Sequence, residues 1–236
     1  MKRWLNGAFR DTAFFVLAYT LVTAAGVLFL ILRAFRFIRN EGTVPRARDK
    51  GLLVVSNHPS YLEAFLLPFL FFPRFLLHPV REGPWSTPDY ANILAPWHLF
   101  WLRYLHMVPI YRGRTNAPQK NAAAFNTMAE ILNGGGTVIL FAEGGRTSSG
   151  PRHLIMTSAT GKELRPLSRS IELITAHAAC AILPIWVEGT DTVLPRKKHI
   201  PRFWKRQIVI RVGALLEPPV TTGELEQKLL MLADEP

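Results

Sequence analysis

The first pattern in the chain is an uncharged stretch from Ala13 to Leu32, broken only by small or weakly polar residues such as Thr20, Thr23 and Gly26. At about 1.5 Å per residue, roughly 20 helical residues cover a hydrocarbon core of about 30 Å. The stretch therefore predicts a membrane-anchoring helix, or a hairpin that re-enters at Gly26. Lys2, Arg3 and Arg10 flank one end; Arg33, Arg36 and Arg39 flank the other, and the basic load continues through Arg46, Arg48 and Lys50. Positive residues stay on the cytoplasmic side, which predicts a membrane protein with the rest of the chain facing the cytoplasm. A cleaved signal peptide fits poorly, because the apolar region is long and ends in arginine.

The pattern then changes. Residues 1–39 form the anchoring segment, the polar, Gly- and Pro-containing residues 40–50 a linker, and 51–236 one domain of alternating short apolar runs and helical periodicity. Leu52–Val55, Thr137–Phe141, Ala181–Val187 and Gln207–Val212 read as strands, and Met107–Ile110 as a shorter one. Pro118–Asn133 predicts a helix, with Phe125, Met128, Ile131 and Leu132 at helical spacing and Gly134-Gly135-Gly136 as its stop. Ser168–Ala179 and Thr222–Leu232 predict two more, and Ser149–Arg165 a loop insertion. The expected fold is α/β: a single domain with a mixed, largely parallel central sheet flanked by helices. Ala64–Leu77 is nearly all apolar, but Pro68, Pro73 and Arg74 forbid a simple transmembrane helix. Trp85, Trp97, Phe100 and Trp101 among Arg81, His98, Arg103 and His106 suit an amphipathic region in the headgroup layer, or equally an aromatic core.

Composition sharpens this. A chain of 236 residues with a net charge of +11 points to an anionic partner: nucleic acid, an acidic lipid surface or a phosphorylated substrate. Six Trp and 15 Phe beside that charge favour lipid, because aromatic side chains anchor at membrane interfaces. Residues Pro195–Arg206 concentrate the effect, with Arg196, Lys197, Lys198, Arg202, Lys205 and Arg206 around Phe203 and Trp204. Docking on an anionic membrane surface is the favoured role; single-stranded nucleic acid or a solvated loop would use the same residues. Cys180 is the one cysteine, which excludes an internal disulfide framework and cysteine-rich zinc sites.

Candidate chemistry centres on Ser56-Asn57-His58-Pro59-Ser60-Tyr61-Leu62-Glu63. It lies between a predicted strand end and a helix start, where α/β folds build their sites. Pro59 suits the first helical position, leaving His58 outside the regular helix and able to meet Glu63. On this stretch alone, a capping turn with a buried imidazole fits as well as a proton acceptor. Glu143-Gly144-Gly145-Arg146 follows another strand; its glycines let backbone N–H groups approach a ligand, and Arg146 offers a fork matched to phosphate. No P-loop, Gly-x-Gly-x-x-Gly, Gly-x-Ser-x-Gly or zinc-ligand spacing occurs.

Four blocks in order resemble the glycerolipid acyltransferases of the 1-acylglycerol-3-phosphate acyltransferase (lysophosphatidate acyltransferase) type, whose pattern begins Asn-His-x4-Asp. They are Asn57–Glu63, Val108–Arg112, Phe141–Thr147 and Ile182–Ile185, followed by Glu188-Gly189-Thr190-Asp191. The matched span is about Gly51 to Pro219. The resemblance implies transfer of a fatty acyl group from acyl-CoA or acyl carrier protein to a hydroxyl of a phosphorylated glycerolipid, with these thioesters as co-substrates and no other cofactor or metal. It implies His58 as general base, oriented by Glu63. It also implies an acceptor site from Asn57, Arg112, Glu143, Gly144, Gly145 and Arg146: the arginines and the amides near Gly144 hold phosphate, Glu143 orients the loop or an acceptor hydroxyl, and Asn57 sets the turn or polarises the thioester. Partners would be membrane lipid, acyl thioester and acyl carrier protein, with no nucleic acid.

The departures fall on the acceptor side. Glu63 stands where the family has Asp, Ala142 where it has Pro, Gly145 where it has Thr, and Ser168-Arg169-Ser170 where a Lys-x-Gly step is usual. A catalytically silent lipid-binding scaffold, acylation of another lysophospholipid or lipid alcohol, and a nucleic-acid-binding protein are the competing readings. A metal-dependent hydrolase built on His58 and Glu63 lacks further ligands at metal spacing. Acceptor identity, donor, chain length and oligomeric state are not written in the sequence.

Overall fold

Helix α1, Lys2–Ala34, runs unbroken through Gly26, so the N-terminal apolar segment is a helix and not a hairpin. Its Phe15–Ala34 portion is long and apolar enough to cross a membrane, with a mean hydropathy of 2.4. One face of that portion packs on the domain: Ala18 and Phe29 are buried, and the Phe72 ring lies 2.7 Å from where a Cβ on Gly26 would be. The opposite face leaves Val16, Leu17, Leu28 and Ile31 exposed. This is a computed structural model, and it describes residues 2–45, 50–72, 82–96, 102, 105–112, 116–149, 151–195 and 200–236.

The chain leaves α1 through a tight turn at Arg36, where φ is +58°, and enters the sheet at once. Strand β1, Ile38–Glu41, lies at one edge, so the sheet begins upstream of the Gly51 start expected from the polar 40–50 stretch. Then come β2 (Gly51–Ser56), β3 (Trp85–Ser86), β4 (Thr137–Leu140), the ribbon β5 (Met156–Thr157) with β6 (Glu163–Leu164), β7 (Cys180–Glu188) and β8 (Ile208–Val212). Among the described residues the main sheet has the order β1-β8-β7-β2-β4-β3. All pairs are parallel except β7 with β8, which gives the expected mixed, largely parallel sheet.

Both faces are covered, which is why the middles of β2 and β7, Leu52–Val55 and Ala181–Val187, are apolar instead of alternating. Leu53 and Val55 face one core, Val54 the other; Ile182 and Trp186 oppose Leu183, Ile185 and Val187 in the same way. The first core is closed by α3 (Ala117–Asn133), α4 (Ser170–Thr175) and α6 (Thr222–Asp234), through Met128, Leu132, Ile171 and Leu229. The second is closed by α1 and α2 (Leu62–Leu66), through Phe29 and Leu66, with Leu67 of the following 3-10 turn. Between β7 and β8 lies one turn of helix, α5 (Thr190–Val193), after Gly189 at φ +85°.

Three expectations change. Pro59 does not open a helix: α2 starts at Leu62 with Tyr61 as N-cap, and Pro68 turns it into a 3-10 segment, Leu67–Phe71. Met107–Ile110 is extended but forms only isolated bridges, to Ser86 and Asp89, because Pro109 lacks an N–H for a continuous ladder. Residues 151–165 of the expected loop insertion carry the β5–β6 ribbon. Trp97, His98, Phe100, Trp101, Arg103, Arg81, Pro73, Arg74, Gly113, Arg114 and the basic residues 196–198 lie outside the described residues.

Candidate active site

Because β2, β4 and β7 are mutually parallel, their carboxyl ends meet at one end of the sheet. That end receives Asn57 and His58 from β2, Phe141 to Arg146 from β4, and the Glu188 region from β7. Open α/β sheets bind ligands there.

The late start of α2 brings His58 and Glu63 together. His58 stands in the turn, Glu63 in the first helical turn, and His58 Nδ1 lies 2.6 Å from Glu63 Oε1. Glu63 is fully buried, and its carboxylate also accepts from the Ser60 N–H (2.8 Å) and the Ser60 hydroxyl (2.9 Å). Ser60 Oγ in turn accepts from the Leu62 N–H, so the turn organises the acid before the acid orients the base. With Nδ1–H donated to the carboxylate, the Nε2 lone pair is the one available to a substrate proton. The imidazole stacks on Phe141, centroids 4.6 Å apart.

Glu143 is buried beneath this turn. Its Oε1 accepts from the His58 N–H (2.6 Å) and the Thr147 hydroxyl (2.9 Å), and its Oε2 from the Arg165 N–H (3.0 Å). The Thr147 N–H returns a bond to His58 O, 2.9 Å. Burial pushes the Glu143 carboxyl above its ordinary range, opposed by the backbone bonds from Arg165 and His58, the Thr147 bond and the His58 charge. It thus splices the His58 turn to the 143–147 loop, the loop-orienting role expected of it. Asn57 is structural too: it donates to Val187 O (2.8 Å) and accepts from Val187 N–H (2.7 Å), pinning the ends of β2 and β7. These bonds give Asn57 the turn-setting role expected of it.

A cavity of about 350 Å³ opens in front of His58. Gly145, Arg146 and Arg112 line it on the polar side, and Tyr19 and Val22 of α1 with Phe65 and Phe69 on the apolar side. Arg146 holds its guanidinium 4.5 Å above the Tyr61 ring, and its carbonyl accepts from Arg165 Nη1. Gly144, at φ +68°, has open space where a side chain would be, so a ligand can approach its backbone. Arg112 is preceded by Tyr111, whose N–H and C=O are both clamped by the Asn121 amide of α3 (2.8 and 2.9 Å). Asp89 lies across the same cavity, its Oδ2 3.8 Å from Arg112 Nε and its Oδ1 accepting from the Ala91 N–H. Sequence reasoning missed Asp89, Asn121, Ser60 and the roles of Phe141 and Tyr61. Ser60, Tyr61 and Phe141 lay within the blocks; Asp89 and Asn121 carried no local signal. Among the described residues, no group of three His, Cys, Asp or Glu is arranged to hold a metal ion.

The arrangement is a carboxylate-oriented imidazole facing a half-apolar cavity with two arginines, suited to deprotonating a hydroxyl on an amphiphile that carries an anionic group. The acyltransferase family model matches residues 36–188. Among solved structures, the 1-acyl-sn-glycerophosphate (LPA) acyltransferase PlsC from Thermotoga maritima superposes with a TM-score of 0.56 at 19% identity, covering 93% of this chain and 80% of that one. At that identity the likeness is one of fold.

Proposed function

The chain belongs to the acyltransferase family, and from that premise we propose that it moves a fatty acyl group from an acyl thioester to a hydroxyl of a phosphorylated glycerolipid. The observation that carries the reading is the His58–Glu63 pair opening on a cavity that is apolar along α1 and basic at Arg112 and Arg146. The acceptor hydroxyl gives its proton to His58 Nε2 as its oxygen attacks the thioester carbonyl. The tetrahedral adduct collapses with loss of the thiolate, which takes the proton back from His58. Buried Glu63 stabilises the imidazolium in between, and base catalysis of this kind supplies about 10²–10⁴-fold. Arg112, Arg146 and the amides around Gly144 hold the acceptor's phosphate, so that its hydroxyl is positioned and not merely bound.

The donor is acyl-CoA or acyl carrier protein, and 1-acylglycerol 3-phosphate is the first acceptor to test. The PlsC structure is named for acting on this acceptor. A less anionic lysophospholipid is favoured by one observation, the Asp89 carboxylate facing Arg112 inside the cavity. The basic residues after α1 and its exposed apolar face support a membrane-anchored protein with the domain on the cytoplasmic side. The test is mass spectrometry of lipids formed by purified protein from a mixed panel of donors and acceptors, with His58→Ala beside it. Acylated lipid from the wild type, falling by at least about 10²-fold in the variant, is expected. Release of no thiol from any donor would favour a silent scaffold, and undiminished transfer by folded His58→Ala would remove the base.

A further inference from the structure

The catalytic end of the sheet carries a second feature that the acyl-transfer chemistry does not use. β8 runs antiparallel to β7 and β1 runs parallel to β8, so both begin at the end where His58 stands. The residues just before these two strands are distant in sequence and neighbours in space. Gln207 Nε2 donates to Arg36 O (2.5 Å), and Ile208 N–H to Phe37 O (2.9 Å). These bonds join the exit of α1 to residues 200–207.

The joined surface displays large apolar side chains to solvent: Phe35 is 72% exposed, Ile200 75% and Trp204 70%. Exposed Arg33, Arg36, Arg202, Lys205 and Arg206 surround them. Of the acids near it, Glu188 is engaged by Lys162, Arg206 and Arg211, and Glu41 by Arg39 and Arg211, while Asp191 on α5 is exposed. The loop is also held in shape. Phe203 packs into the core beneath α1, and the Arg202 and Lys205 N–H groups bond to Val193 O and Arg202 O. A fixed loop that presents Trp and Ile outward, ringed by cations, beside the end of the apolar helix, matches an anionic bilayer interface in each respect.

We propose that Ile200–Gln207, together with the Phe35 turn, is a second membrane contact that seats Ile200 and Trp204 in the headgroup layer of an anionic leaflet. It turns the catalytic end of the sheet toward the lipid. The proposal rests on the membrane-anchored reading above but not on acyl transfer. Cys180 is the sole cysteine and is buried, so an environment-sensitive thiol label goes selectively to Trp204→Cys, or to Met231→Cys as a control on α6 across the sheet from α1.

In full-length chain reconstituted into phosphatidylcholine vesicles containing phosphatidylglycerol, the label at 204 should be quenched from lipid-borne quencher and shielded from iodide. The label at 231 should behave the opposite way. Adding Arg202→Gln and Lys205→Gln should weaken the seating about fivefold per charge, and removing phosphatidylglycerol should expose the label. Equal iodide access at 204 and 231, shielding indifferent to lipid charge, or a response to single-stranded RNA and not to vesicles would each overturn the proposal. None of these readouts requires turnover, so a failure here is separable from a failure of the acyl-transfer reading.

Discussion

Glu63 has a longer arm than the Asp that the motif leads one to expect, and the surroundings of its carboxylate explain how it serves. Its two oxygens meet three donors, from His58 Nδ1 and the Ser60 N–H and hydroxyl, at 2.6 to 2.9 Å. Shortening it to Asp pulls the carboxylate out of reach of at least one of them. Glu63→Asp should therefore lower kcat while leaving KM for the acceptor unchanged. Glu63→Gln should cost more, about 10²-fold or beyond, because an amide does not stabilise an imidazolium. A Glu63→Gln enzyme with wild-type kcat would sever Glu63 from the chemistry. Asp89 makes the opposite prediction. It sits beside Arg112 at the basic end of the cavity, so Asp89→Asn removes a charge that would repel an anionic acceptor and frees the guanidinium for the ligand. KM for lysophosphatidate, and the inhibition constant for inorganic phosphate, should fall severalfold with kcat little changed. A raised KM would mean that Asp89 holds Arg112 in its working position instead.

At the scale of elements, two glycines show how closely the parts that carry the site are fitted. A Cβ on Gly51, at the start of β2, would lie 2.2 Å from Leu132 O, a backbone atom at the end of α3 that cannot swing aside. Gly51→Ala should cost about 1–3 kcal/mol of stability by thermal or denaturant unfolding, and wild-type stability would contradict the close approach. Gly26→Val should instead lift α1 from Phe72, and since Tyr19 and Val22 line the cavity, acceptor KM should rise more than stability falls. The elements legible in the sequence were those with a clear period or a strong stop. β2, β4, β7, β8, α3 and α6 fall within a few residues of expectation because each buries a continuous run or a helical stripe. β1 was illegible, since Ile38-Arg39-Asn40-Glu41 is polar at the sheet edge and its partner β8 lies far downstream. The helix start at Leu62 was misplaced because Pro59 satisfies the rule for a first helical residue, yet Glu63 draws Ser60 into a turn. His58, Glu63, Arg112 and Arg146 could be named from blocks. Asp89 and Asn121 could not, because only the packing of distant segments gives them a role.

Across the whole molecule, the 156–164 ribbon links the site to the periphery through carboxylates. Asp234, at the end of α6, accepts from the Ala159 and Thr160 N–H groups and the Thr160 hydroxyl. Glu188, at the end of β7, takes Lys162 from the same ribbon. The ribbon leads to Arg165, which reaches Glu143 through its backbone and the Arg146 carbonyl through its side chain. The hydrogen bonds from Thr160 and Ser158, followed by that from the Thr160 backbone, hold Asp234 well below the usual carboxylate range. Burial is the largest influence on Glu188 and raises it, but bonds from Lys162 and Arg211 with the Lys162 and Arg206 charges leave it depressed. A depressed carboxyl binds fewer protons folded than unfolded, so its stabilisation is present above the unfolded value of about 4 and is lost as pH falls through the folded one. Glu143, raised by burial, has the opposite sign: its contribution is present below about 4 and lost as pH rises through its folded value. Asp234 and Glu188 both hold the ribbon, so acid should loosen the ribbon before it unfolds the sheet. Activity on a soluble short-chain acceptor should become more acid-labile than the sheet, with ribbon amides gaining hydrogen exchange ahead of β2 and β7. Asp234→Asn should lower the melting temperature at neutral pH, and its gap to the wild type should close as pH drops below about 4. A gap that stays constant between neutral and acid pH would show that Asp234 carries no pH-linked stability, and the ribbon would then owe its place to packing alone.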